Sequence, residues 1–87
     1  MSYAMNTKSP LRKILLDLYT RQKKVAELRP EWEYEPLQAV RDQLSTNYDL
    51  STKEGNKIAA QEFGMMLQVA QQAQDESQLV QLAQSLP

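Results

Sequence analysis

Eighty-seven residues, 41% of them hydrophobic and 24% charged, are enough for one domain and too few for two. The formal charge is −1, and the chain contains neither cysteine nor histidine. Disulfides, thiolate zinc sites and the usual general base near neutral pH are therefore excluded together.

Residues 1–9 read as a flexible N-terminal tail. They lack the apolar run of a secretory signal, and nowhere does the chain approach the roughly 18 apolar residues of a membrane span. A cytoplasmic protein is expected. Met1-Ser-Tyr-Ala reads equally well as a cloning remnant, with Met5 as the natural start. A single helical domain is expected at 10–87.

Ser9-Pro10 predicts the start of the first helix. A serine hydroxyl can accept a free amide of the first turn, and proline suits a position whose N–H has no partner. Leu11, Ile14, Leu15, Leu18, Gln22 and Val25 then recur at spacings of three and four and fall on one stripe. Leu16 points away from it. Pro30 disfavours helix just before itself, so the helix should end near Leu28 or Arg29. Between Pro30 and Pro36, Trp32 and Tyr34 alternate with Glu31, Glu33 and Glu35 in a connector with room for one helical turn. The lone tryptophan of so small a domain is expected to lie over the core as a lid.

Pro36 can open the second helix, whose apolar stripe is Leu37, Val40, Leu44 and Tyr48, fraying at Asn47–Asp49. Ser51 with Glu54 three residues on has the capping-box pattern, which predicts a third helix from about Thr52. Ile58, Ala59, Phe63, Met65, Met66, Leu67, Val69, Ala70 and Ala73 cover an arc of roughly 200°, about twice that of a surface helix. This helix should touch more than one neighbour. Glu62 lies within the arc and needs a partner if buried. Asp75 with Gln78 is a second capping signal, and Leu79, Leu82, Ala83 and Leu86 form a separate stripe. The expectation is an all-α bundle of three to four helices at about 10–29, 36–48, 52–73 and 76–86. One continuous helix over 52–85 is the alternative.

Charge is unevenly placed. Residues 1–30 carry seven basic and two acidic side chains, and residues 31–54 two basic and six acidic. The basic first helix is expected to pair with the acidic middle. Eight of the eleven glutamines lie between Gln61 and Gln84. Keeping helical spacing with Leu and Val, they read as a neutral solvated face.

No constellation supports catalysis. Glu31, Glu33 and Glu35 sit on a short connector where solvent is expected to reach them, whereas a catalytic acid needs burial. Two glycines, at 55 and 64, are too few for a phosphate-cradling loop. No enzyme, cofactor, metal or small-molecule substrate is expected.

Asn56-Lys-Ile-Ala-Ala-Gln-Glu-Phe-Gly-Met resembles the first half of a helix-turn-helix. Ala59 and Ala60 stand at the close approach, Phe63 before the turn, Gly64 in it and Met65 after it. Ala70 and Ala73 match later buried positions. That resemblance implies a DNA-binding regulator using residues 56–75, with Gln68 and Gln71 toward bases and Arg12, Lys13, Lys23 and Lys24 toward phosphates. Against it, the second helix would hold no lysine or arginine, and Met65-Met66-Leu67 is helix-forming without a cap. A real turn requires a sharp bend at Gly64.

The leading expectation is a small non-enzymatic interaction or regulatory protein, of adaptor, chaperone or inhibitor type, working through an apolar helical face. Its partner is another protein or a second copy of the chain. The contact candidates are Trp32, Tyr34, Met65, Met66, Leu79, Leu82 and Leu86. A minor structural subunit of a larger assembly is a further alternative. An exposed apolar patch between Met65 and Leu86 is the feature that would support the leading reading.

Overall fold

The computed structural model describes residues 10–87. They form four α-helices, α1 (Leu11–Leu28), α2 (Pro36–Lys53), α3 (Lys57–Gln72) and α4 (Glu76–Ala83), with a 3₁₀ turn at Pro30–Trp32. This is the small all-α bundle that the periodicity predicts. No described helix is long and apolar enough to cross a membrane. The predicted tail and the Ser9 cap fall outside the described residues.

Pro10 precedes α1 in extended backbone. The amide of Leu11 is satisfied from the far end of the chain, donating to the Pro87 carbonyl at 2.9 Å. The helix stops at Leu28, two residues before Pro30, as that proline dictates. Its inner face is Leu11 and Leu15, with Leu16, Leu18 and Tyr19 packed beside them. The predicted stripe is thus slightly rotated. Leu16 turns inward, and Ile14 is left 40% exposed.

Pro36 is the first residue of α2, again as predicted. The end of α2 differs from the prediction. It runs on to Lys53, and Ser51 is buried within it rather than capping α3. Gly55 is the reason. At φ +75 it takes the left-handed conformation that residues with a side chain avoid. The Asn56 amide then donates to the Ser51 carbonyl at 2.9 Å and the Gly55 amide to Thr52 at 3.1 Å, closing the helix in a Schellman motif. Asn56 caps α3, its Oδ1 accepting from the Ala59 amide at 3.0 Å.

The most extensive helix pairing is α2 against α3. Gly64 lies in that seam. A Cβ there would meet the Tyr48 ring at 3.3 Å. The helix continues through Gly64 to Gln72 without a turn. It ends at Ala73, and α4 begins separately at Asp75, whose Oδ1 accepts from the Gln78 amide at 2.9 Å. The Gln78 side chain accepts in return from the Gln74 amide at 2.9 Å. Residues 57–83 are therefore two helices, not one.

Arg41 fixes this break. Its Nε donates to the Ala70 carbonyl at 2.9 Å and its Nη2 to Ala73 at 2.6 Å. Both acceptors belong to fully buried alanines at the C-terminal end of α3, and among the described residues neither receives a backbone N–H. A cation is also favoured there by the helix dipole. Around this point Val40, Leu44, Met66, Val69, Ala70, Ala73, Leu79, Ala83 and Leu86 close the core with Leu11 and Leu15.

The predicted pairing of the basic helix with the acidic middle is not observed. Among the described residues the ion pairs are Lys13–Asp17, within α1, and Lys23–Glu76, which ties α1 to α4 at 3.1 Å. Both are exposed and contribute little to stability. Glu62 is half-buried and forms neither an ion pair nor a side-chain hydrogen bond among the described residues. The acidic middle faces water because its glutamates occupy the connector rather than an inner helix face.

Candidate interaction surface

The contact face expected between Met65 and Leu86 is largely internal. Met66, Leu79 and Leu86 are buried core residues, and Met65 and Leu82 are half-buried against that core. The broad arc of α3 does need a second neighbour, but α4 of the same chain provides it. Met66, Leu79 and Leu86 are thereby corrected from contact residues to core. On α4 the large apolar side chain left exposed is Val80, at 42%.

The nucleic-acid reading loses its geometry too. With α3 unbroken at Gly64 there is no turn and no separate recognition helix. Gln68 and Gln71 are exposed on the same helix as Ala59. Three of the four basic candidates are engaged within the chain: Arg12 donates to Gln84 Oε1 at 3.1 Å, Lys13 pairs with Asp17 and Lys23 with Glu76. Lys24 is exposed. The Lys23 ammonium is held above its ordinary range by the hydrogen bond it donates to Glu76, and the Tyr19 hydroxyl is raised first by burial. Both shifts lead away from neutral pH, so neither group serves as a proton acceptor there.

What the structure brings together is the corner between α1 and α2. Leu28 is 72% exposed and Trp32 58%. Trp32 is no lid; it stands outside the core. Its position is nevertheless well determined. Pro30 starts the 3₁₀ turn, and the Trp32 amide donates to the Arg29 carbonyl at 3.0 Å. Glu33 closes the turn in the left-handed region, φ 52, with its amide donating to Pro30 at 3.2 Å. A residue with a side chain adopts that conformation at some cost, and such strain persists only where the surroundings enforce it. Tyr34, half-buried, anchors the far side by donating its hydroxyl hydrogen to Gln22 Oε1 on α1. The Arg29 guanidinium lies 5.4 Å from the Trp32 ring centroid, a cation–π distance that restrains the indole.

Acidic residues flank this apolar tip along the chain. Residues 27–35 contain Glu27, Glu31, Glu33 and Glu35 against one arginine, and all four carboxylates are exposed. They do not converge. Among the described residues no three acidic side chains could hold one metal ion.

A shallow groove of about 460 Å³ opens between α1 and α2. Leu18, Leu44 and Phe63 line it together with Ile14, Asp17, Arg21, Gln22, Gln43 and Asn47. Gln22 thus borders the groove while holding Tyr34, which connects groove and corner mechanically.

Of the residues singled out from sequence, Trp32 and Tyr34 are brought together, one as exposed tip and one as its anchor. Leu28 and Arg29, which stand beside the exposed indole, were not singled out from sequence. The available signal was an apolar residue in the last turn of a helix just before a proline-led connector carrying the only tryptophan. No family model, curated protein or solved structure matches the chain.

Proposed function

We propose that this is a non-enzymatic interaction protein, an adaptor, chaperone or inhibitor, that docks another protein on the Leu28–Trp32 corner. One observation carries the reading: the only tryptophan is 58% exposed while hydrogen bonds, a cation–π contact and two prolines restrain its setting. Leaving an indole in water forgoes the favourable burial of a large apolar ring. A partner recovers that burial, and a ring held in place beforehand loses little entropy on binding. Trp and Arg are also among the residue types in which binding energy concentrates.

A photoreactive amino acid in place of Leu28, introduced in the native host, tests this reading, with the same probe at the exposed Gln68 as reference. A discrete cross-linked partner from position 28, absent at position 68 and lost when Trp32→Ala is added, is the expected result. Equal labelling from the two positions would refute it. Circular dichroism of the Trp32→Ala chain checks that folding is retained.

A further inference from the structure

We infer that the segment seated on this corner is a cationic, amphipathic stretch of a protein partner, with Lys or Arg side chains around an aliphatic or aromatic residue. The inference rests on the docking reading above and adds the chemistry of the occupant. Two features select it. The apolar centre is small, Leu28 and the indole face left open beside Arg29, so it accepts one large side chain rather than a broad sheet or helix face. The rim is predominantly acidic, four carboxylates against the single guanidinium of Arg29. Glu27, Glu31, Glu33 and Glu35 are all exposed, and none forms an ion pair among the described residues.

This asymmetry is local. The whole chain carries only −1, so the corner is an acidic site on a nearly neutral molecule. Complementary potential at a rim governs encounter rate and partner choice more than it governs final affinity. An acidic or nucleic-acid partner would meet four like charges. A basic one would exchange water at four carboxylates for its own cations, while its apolar residue covers Trp32. The restraint of the connector matters here because Glu31, Trp32 and Glu33 are consecutive: the 3₁₀ turn and the left-handed Glu33 fix acid and indole relative to one another.

Trp32 is its own reporter. The folded full-length chain is titrated, following indole emission, with a synthetic 14-residue Lys-rich peptide carrying one central Leu, and in parallel with its Glu-rich counterpart. Expected is saturable quenching or a blue shift with the Lys peptide only, weakening about tenfold or more between 50 and 200 mM salt. The triple variant Glu31→Gln, Glu33→Gln, Glu35→Gln should lose about tenfold in affinity, since exposed pairs contribute modestly each. Response to both peptides alike, to neither, or an unchanged affinity in the triple variant would overturn the inference. So would a concentration-dependent emission shift without peptide, which would place a second copy of the chain on the corner. The docking reading fails separately. A partner cross-linked at position 28 through an acidic segment leaves that reading intact and removes this one.

Discussion

Replacing Arg41 with methionine should destabilise the fold more than its half-exposed position suggests. Methionine keeps the aliphatic stem but removes the two hydrogen bonds to the Ala70 carbonyl at 2.9 Å and the Ala73 carbonyl at 2.6 Å, together with an exposed one to Gln38 Oε1 at 3.1 Å. Both carbonyls belong to fully buried residues and have no backbone donor to replace the guanidinium. A hydrogen bond from a charged donor contributes about 1.5–3 kcal/mol net, and a cation at a helix C-terminus about 0.3–1 kcal/mol. Partial solvent access places the two bonds near the low end, giving about 3 kcal/mol in all. In a domain of this size that lowers Tm by roughly 12–24 °C. Thermal and urea unfolding followed by circular dichroism at 222 nm measures it. Arg41→Lys is the sharper variant, because an ammonium is a point charge and cannot reproduce the planar fork that reaches both carbonyls. It should recover no more than about half of the loss. Arg41→Met within about 0.5 kcal/mol of the parent, the ordinary range for surface changes, would refute the clamp. So would Arg41→Lys equal to the parent.

Two further outcomes follow from the packing and from the raised proton affinities. Gly64→Ala gains about 1 kcal/mol of helix propensity and places a Cβ 3.3 Å from Tyr48. Tyr48 is 39% exposed and free to shift outward, so a net gain of about 0.5 kcal/mol is expected, whereas Gly64→Leu should lose about 1–3 kcal/mol by overpacking the seam; denaturant midpoints decide, and a loss with alanine would contradict it. At alkaline pH both shifted groups act in one direction. The unfolded chain releases the Tyr19 proton first as pH passes 10.0, and the Lys23 contribution, complete below 10.5, fades as pH rises through its higher folded value. Stability should therefore fall from about pH 10 upward, and less steeply in Tyr19→Phe with Lys23→Met; parallel curves for parent and double variant would count against both assignments.

Prolines and periodic leucines made most of the architecture readable in advance. Pro30 and Pro36 act through their own covalent geometry, so the end of α1 and the start of α2 are where a local rule puts them. Asp75 and Gln78 likewise need only neighbours in sequence. The second turn was misread because two local signals competed. Ser51–Glu54 fits a capping box, but Gly55 and Asn56 satisfy six-residue Schellman closure and a cap together. Burial of Ser51 against α3 adds a tertiary gain that sequence spacing cannot report. The candidate surface was legible only as residue types. Trp32 marks an interface or a core lid with equal economy, and the choice depends on the direction of the 3₁₀ turn. Leu79 and Leu86 look available on a helical wheel until α4 folds back over α3.

The hydrogen bond between Leu11 and Pro87 has a practical corollary. It brings the two limits of the helical domain side by side, so polypeptide attached before residue 11 or after residue 87 departs from the same pole. The opposite pole carries Trp32, separated by the 18 residues of α1, about 27 Å at 1.5 Å per residue. A surface tether placed beside Leu11 or Pro87 should therefore leave the tryptophan tip facing outward.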